Sequence, residues 1–151
     1  MRRWCAFLSI GLAVGCSGTA PTNLGAREGR LASCPSTPNC VSSQAAKSDA
    51  EHYVEPLAFE GSVEGAMAKL LSVFEAMSRL EVVTRTSDYL HVEATSLIFR
   101  FVDDVEFLFV QDEGLIHCRS AARLGRSDFG VNRARIEEIR ERFVSAAPRP
   151  D

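Results

Sequence analysis

The chain lacks the sequence patterns that mark the common enzyme classes. Its 151 residues contain no Gly-x-Ser-x-Gly, His-Glu-x-x-His or glycine-rich phosphate-binding motif. Ser42, Ser43 and Ser127 are available hydroxyl groups, but a serine nucleophile needs a general base, and the sequence indicates none for them. We therefore predict no catalytic residue.

Histidine is equally scarce, with only His52, His91 and His117 in the whole chain. His91 and His117 share a face of strands that could be neighbours, so a metal site there would need a third ligand such as Glu93. Two exposed cross-strand histidines are the favoured interpretation. We expect no metal and no cofactor.

The chain also lacks an excess of positive charge. It has 17 basic and 20 acidic residues, a formal net charge of −3. Without Arg2 and Arg3, 15 basic residues remain against the same 20 acidic residues, which gives −5. This balance argues against a general nucleic-acid-binding protein, which would carry a basic surface.

The only long apolar run lies at the N-terminus. Trp4 to Val14 follows two arginines and is shorter than the roughly 20 residues that cross a bilayer, so residues 1–15 are predicted to be a signal peptide. Leu12-Ala13-Val14-Gly15-Cys16 resembles the bacterial lipobox, which implies cleavage before Cys16 and acylation of that cysteine. The alternative is an ordinary signal peptide with an incidental cysteine. Ser17 after the cysteine favours the outer membrane, facing the periplasm.

The remaining cysteines take different predicted roles. Residues 16–33 are rich in small and turn-forming residues, which indicates a lipidated, flexible tether. Cys34 and Cys40 enclose a short proline-containing loop and are a disulfide candidate in an oxidising compartment. Two reduced thiols are the main alternative, and a zinc site is weaker because no histidine lies nearby. Cys118 alternates with Ile116 and is expected in the core.

Hydrophobic periodicity predicts one α+β domain over residues 34–147, followed by a tail at 148–151. We expect an antiparallel sheet of about five to six strands with two helices packed on one face. Polar turn signals, including Asp103-Asp104, separate the strands. Helices are predicted at Ser62–Ser78, with Ser62 as N-cap, and at Asn132–Ala146, with Asn132 as N-cap. The predicted strands are Tyr53–Phe59, Leu80–Arg85, Tyr89–Ala94, Leu97–Phe101, Val105–Val110 and Leu115–Arg123.

An arginine-rich stretch at 119–135 is the most unusual segment. It contains five arginines and leads into a helix N-terminus, which favours anions such as a phosphate, a carboxylate or a lipid headgroup. The alternative, which we favour, is that the arginines pair with acids on adjacent elements: Asp103, Asp104, Glu106 and Asp128. The anion-binding candidates are Arg119, Ser120, Arg123, Arg126, Ser127, Asn132 and Arg133.

Three stretches resemble the motifs of the domain-of-unknown-function family 1499. They are Cys34-Pro-Ser-Thr-Pro-Asn-Cys-Val-Ser-Ser43, Phe101-Val-Asp-Asp-Val-Glu-Phe107 and the segment from Arg119 to Arg133. The resemblance spans about Cys34 to Phe143. It implies that the three stretches form one cluster, and it carries no activity or catalytic residue to transfer.

These observations predict a membrane-anchored envelope lipoprotein. Its domain is expected to be non-enzymatic and to bind a small anionic or amphipathic ligand, or a protein partner. One alternative is a hydrolase-like enzyme that uses Asp103, Asp104, His117 and the arginines. Another is a structural or assembly component of the envelope, which needs an exposed apolar patch.

Overall fold

A computed structural model describes residues 18–146. The predicted signal peptide, the predicted lipidation site Cys16 and the predicted C-terminal tail lie outside the described residues. The elements are β1 (Cys40–Ser42), β2 (Leu57–Ala58), α1 (Val63–Glu75), β3 (Leu80–Arg85), β4 (Tyr89–Thr95), β5 (Val102–Val110), β6 (Leu115–Ala122) and α2 (Val131–Ser145), with a short 3-10 turn at Gln111–Glu113.

The six strands form one antiparallel sheet in the order β1-β6-β5-β4-β3, with β2 also paired to β6. With two helices, this confirms the predicted α+β class. Within residues 18–146, no helix has the length and apolarity that a membrane crossing requires.

Both helices pack on the same face of the sheet. Ser62 caps α1 by accepting a hydrogen bond from the Gly65 amide at 3.1 Å, as predicted, and Leu70 is fully buried. Ile136 and Ile139 of α2 enter the same core. The strands contribute alternate residues because successive side chains point to opposite faces. These core residues include Leu90, Val92, Val105, Phe107, Phe109, Ile116 and Cys118.

Two local predictions were wrong around β5. Leu97–Phe101 forms an exposed turn and not a strand, closed by the Ser96 amide donating to the Phe101 carbonyl at 2.8 Å. Asp103-Asp104 is not a turn but part of β5, with both residues buried. Their carboxylates are tolerated there because arginines from distant parts of the chain pair with them.

Three element boundaries also differ from the prediction. α2 begins at Val131 after Gly130, whose φ of 80° suits glycine, so Asn132 is not the N-cap but a buried residue of the first turn. The predicted strand Tyr53–Phe59 is reduced to β2, and β1 lies in a segment with no strand prediction.

The second sheet face is covered by the segment that precedes Cys34. The Gly25 amide donates to Glu106 Oε1 at 2.8 Å, and buried Leu31 packs against Tyr89 and Leu108. The Leu31 amide in turn donates to Gln44 Oε1 at 2.8 Å. Residues 25–31 therefore differ from the flexible tether predicted for this region, because the sheet face offers them both an apolar contact and a buried acceptor.

Candidate functional site

The three stretches that carry the family resemblance lie side by side. The first contains β1, the second contributes most of β5, and the third runs from β6 into α2; β1, β6 and β5 are neighbours in the sheet. Cys34 and Cys40 are joined by a disulfide, with Cα atoms 5.6 Å apart, at the start of β1. Polar side chains occupy both faces of these strands.

We call the first group the buried polar cluster: Tyr89, His91, Glu93, Asp104, Glu106, Arg119 and Arg123. All of them alternate onto the sheet face that the N-terminal segment covers. Cross-strand register explains their proximity, since His91 lies opposite Glu106, and Glu106 lies opposite Arg119.

Glu106 organises one half of this cluster and is fully buried. Its Oε2 accepts a hydrogen bond from Arg119 Nη1 at 3.0 Å, and its Oε1 accepts from the Tyr89 hydroxyl and the Gly25 amide, both at 2.8 Å. Burial and the negative charge of Glu106 raise the pKa of the Tyr89 hydroxyl. Tyr89 therefore stays a neutral donor at every physiological pH.

Asp104 organises the other half and is also almost fully buried. It accepts from His91 Nε2 at 2.8 Å and from Arg123 through Nε at 2.9 Å and Nη2 at 2.7 Å. Burial acts to raise the pKa of Asp104, but the hydrogen bonds from Arg123 and His91 outweigh it, and the net effect lowers the pKa. Arg123 also pairs with Glu93.

This half of the cluster has the composition of a metal site. One ligand atom from each of His91, Glu93 and Asp104 lies within 4.8 Å of the other two. However, the Arg123 guanidinium already forms ion pairs with the Glu93 and Asp104 carboxylates, and it supplies the positive charge that a metal ion would bring. The donor set therefore fits a guanidinium and does not fit a divalent cation without displacing Arg123.

A second network lies on the helix side of the sheet. Ser120 Oγ donates to Asn132 Oδ1, which also accepts from Arg135 Nη1 at 2.7 Å. Arg135 Nη2 donates to Asp103 Oδ2 at 2.6 Å, although burial still raises the pKa of Asp103. The Asn132 side-chain Nδ2 donates to the Asn39 carbonyl at 3.2 Å, so this network links α2 to the residue just before β1. Arg135 was absent from the predicted site.

The remaining candidates have local roles. Arg133 donates to the backbone carbonyls of Tyr53, Ala50 and Glu51, and so holds that loop against α2. The Asp128 carboxylate accepts a hydrogen bond from the backbone amide of Asn132 at 2.8 Å and thereby caps the first turn of α2. Ser127 Oγ accepts from the Phe129 amide, and Arg126 is exposed.

The predicted anion site is therefore divided. Arg119 and Arg123 point to one face, as their strand parity predicted, and both are paired with carboxylates. Ser120, Asn132 and Arg133 lie toward the helices, whereas Arg126 and Ser127 belong to the loop between β6 and α2. Arg119 and Arg123 thus form ion pairs with nearby acids, which is the alternative that the sequence favoured.

A further constellation was missed because Ser43 is far in sequence from its other two members, Glu113 and His117. Ser43 Oγ lies 3.2 Å from His117 Nδ1, and His117 Nε2 lies 3.1 Å from Glu113 Oε2. Ser43 Oγ also accepts a hydrogen bond from the Cys118 amide at 2.9 Å. A serine, a histidine and a carboxylate in this order can transfer a proton from the hydroxyl to the imidazole. His117 is therefore not part of the Asp104 cluster, and His91 is the histidine there. The prediction of two exposed histidines on neighbouring strands was wrong, because His91 is buried against Asp104 and β5 lies between β4 and β6.

The sequence matches one protein family, described as Protein of unknown function (DUF1499), over residues 30–143. No curated protein and no solved structure matches the chain at a significant level. The family match includes all six strands and nearly all of α2, and it contains both polar networks. The chain therefore belongs to the family of proteins of unknown function DUF1499.

Proposed function

We propose that the protein is a membrane-anchored envelope lipoprotein with a non-enzymatic binding domain. The lipobox-like sequence Leu12-Ala13-Val14-Gly15-Cys16 carries this proposal, and the position of Gly18, the first described residue, bears on how close the anchor would lie to the domain. A Cβ atom placed on Gly18 would lie 3.1 Å from Arg123 Cβ and 3.2 Å from Leu124 Cγ. The chain is therefore in contact with the domain only two residues after Cys16, the candidate lipidation site.

This contact sets the distance between lipid and domain. Two extended residues span at most about 7 Å. Acyl chains on Cys16 would consequently hold the β6–α2 end of the domain at the bilayer surface, with no long spacer between them. Two or three acyl chains give stable anchoring, whereas a single chain is marginal.

The non-enzymatic part of the proposal rests on how the charged groups are used. Arg119, Arg123 and Arg135 each form an ion pair with a carboxylate, so their charges serve the fold. An anionic or amphipathic ligand would instead meet the exposed residues of the β6–α2 loop, such as Arg126. A protein partner is the alternative occupant of that region.

Incorporation of labelled fatty acid tests the anchor in a bacterial host. Wild-type protein and a Cys5→Ala control, which changes only the signal peptide, should both incorporate the label. Cys16→Ala should incorporate none and should appear in the soluble periplasmic fraction. Labelled Cys16→Ala protein, or unlabelled wild-type protein, would contradict the proposal.

A hydrolase is the second candidate function, and the Ser43–His117–Glu113 constellation favours it. An enzyme of this kind would react with a fluorophosphonate probe at Ser43, and the reaction would be lost in Ser43→Ala and His117→Ala but kept in Ser42→Ala. Because Ser43 is buried, the non-enzymatic proposal expects no labelling of the folded protein. Labelling that depends on His117 would overturn it.

A further inference from the structure

We infer that two loops at one end of the domain enter the interface of an anionic bilayer; the inference rests on the proposed lipid anchor. The loops are the β4–β5 connection and the β6–α2 connection, the second taken together with Val131, the first residue of α2. We call their exposed apolar side chains the apolar end, and each is between 43% and 97% exposed. They are Leu97, Ile98, Phe99, Phe101, Leu124, Phe129 and Val131.

The two loops form one surface. Leu97 and Val131 line the same shallow hollow of about 370 Å³. At the base of the loops, the Arg123 amide donates to the Val102 carbonyl at 3.3 Å. Large apolar side chains gathered in this way are unusual on a soluble surface and mark an interaction site.

The β4–β5 loop is held in a fixed shape. The Ser96 amide donates to the Phe101 carbonyl at 2.8 Å, and the Phe101 amide donates to Ser96 Oγ at 2.9 Å. The rings of Phe99 and Phe101 stack with centroids 5.5 Å apart. A loop that is already ordered loses little conformational entropy when its side chains are buried, which favours insertion.

The charges of this end suit an anionic lipid surface. Arg100 and Arg126 are exposed on the two loops, and no acidic side chain in the described part of the chain forms an ion pair with either. The nearby carboxylate of Asp128 accepts hydrogen bonds from the Gly130 and Asn132 amides at the start of α2. Aromatic and aliphatic side chains flanked by arginines are typical of segments that bind at the membrane interface.

The path of the chain identifies the bilayer as the occupant. Gly18 touches Leu124, so the lipid on Cys16 and the apolar end would meet the same surface. A symmetric pair of copies is less suited, because it would bring Arg100 and Arg126 of both copies together. Insertion would reach about 5–10 Å into the headgroup and acyl boundary.

α2 supplies a matched control position. Val144 is exposed like Phe99, but it lies 13 residues beyond Val131, which is about 20 Å along the helix. A tryptophan introduced by Val144→Trp therefore reports on an apolar exposed site far from the proposed contact. The single natural tryptophan, Trp4, is in the predicted signal peptide and would be absent from the mature protein.

The experiment uses the lipidated protein reconstituted into vesicles of phosphatidylethanolamine and phosphatidylglycerol with brominated acyl chains. We call the indole introduced by Phe99→Trp the loop probe and the one introduced by Val144→Trp the helix probe. Fluorescence of the loop probe should shift to shorter wavelength and be quenched by bromine, whereas the helix probe should show neither effect. Removing both loop arginines with Arg100→Gln and Arg126→Gln should reduce the quenching of the loop probe in anionic vesicles but not in purely zwitterionic vesicles.

The outcomes separate the inference from the proposed anchor. If the protein floats with the vesicles but the loop probe is as little quenched as the helix probe, the inference is overturned and the anchor stands. A blue-shifted but unquenched loop probe also overturns it, because the apolar end would then be covered by protein. If the wild-type protein carries no lipid and does not float, the proposed anchor fails, and the inference fails with it.

Discussion

Replacing Glu106 with glutamine isolates the charge that Arg119 faces in the buried polar cluster. The glutamine carbonyl can still accept from Gly25 and Tyr89, but its NH₂ group would point at Arg119 Nη1, which now lies 3.0 Å from a carboxylate oxygen. Arg119 is buried, and its Nε has no hydrogen-bond partner among the described residues. Glu106→Gln therefore leaves a buried guanidinium without the carboxylate that pairs with it.

Removing one partner of a buried ion pair costs about 3–5 kcal/mol of unfolding free energy. Domains of this size are stable by about 5–15 kcal/mol in total, so the variant should lose a large share of its stability. The assay is urea unfolding at pH 7, followed by circular dichroism.

Glu138→Gln is the matched control, because it removes a carboxylate from the Glu138–Arg142 pair of α2, whose side chains are 51% and 45% exposed. That exposed pair should contribute only about 0.3–0.5 kcal/mol. Adding Arg119→Met to Glu106→Gln should recover much of the loss, because no charge is then left unpaired and the glutamine carbonyl still accepts from Gly25 and Tyr89. If Glu106→Gln unfolds within about 1 kcal/mol of wild type, Arg119 is not desolvated as described and the reasoning is refuted.

Three further outcomes follow from the described contacts. Burial raises the pKa of the Cys118 thiol to about 12, so a thiol reagent at pH 8 should label Cys118 only after unfolding; rapid labelling of the native protein would contradict its place in the core. The double variant Cys34→Ser and Cys40→Ser should lower the unfolding free energy by about 2 kcal/mol, the loop-closure contribution of a short disulfide loop, and unchanged urea unfolding would count against this. The folded-state pKa of Asp104 is lowered below its ordinary 3.8, so the ionised carboxylate stabilises the fold above that pH, and this contribution is lost as the pH falls through the folded pKa. The difference in unfolding free energy between wild type and Asp104→Asn should therefore narrow below about pH 4. A difference that widens there would reverse the assigned sign.

The sequence predicted the elements whose pattern is local. The alternation of Leu90, Val92 and Ala94 places them on the core face of β4, and the helical spacing of Met67, Leu70 and Phe74 places them inside α1. These residues need only the period of their own element to identify which side is buried.

The prediction failed where the decisive partner is distant in sequence. Asp103-Asp104 has a turn composition, and it becomes part of a buried strand because Arg135 and Arg123 arrive from other elements to pair with the carboxylates. Ser43 and His117 lie 74 residues apart and meet only because β1 pairs with β6. Leu97–Phe101 has the apolar content of a strand, yet it forms an exposed loop between β4 and β5.

The hydrogen bond from Gly25 to Glu106 also constrains the order in which the molecule can be assembled. The two residues are separated by 81 positions, so the N-terminal segment is synthesised long before the strand that receives it. β1 must likewise wait for β6, its partner in the sheet. Contacts between such distant residues slow folding, because the chain loses entropy in closing long loops before it gains their energy. The first described residues to leave the ribosome are therefore among the last to reach their native positions, and folding is completed only when nearly all of the domain has been synthesised.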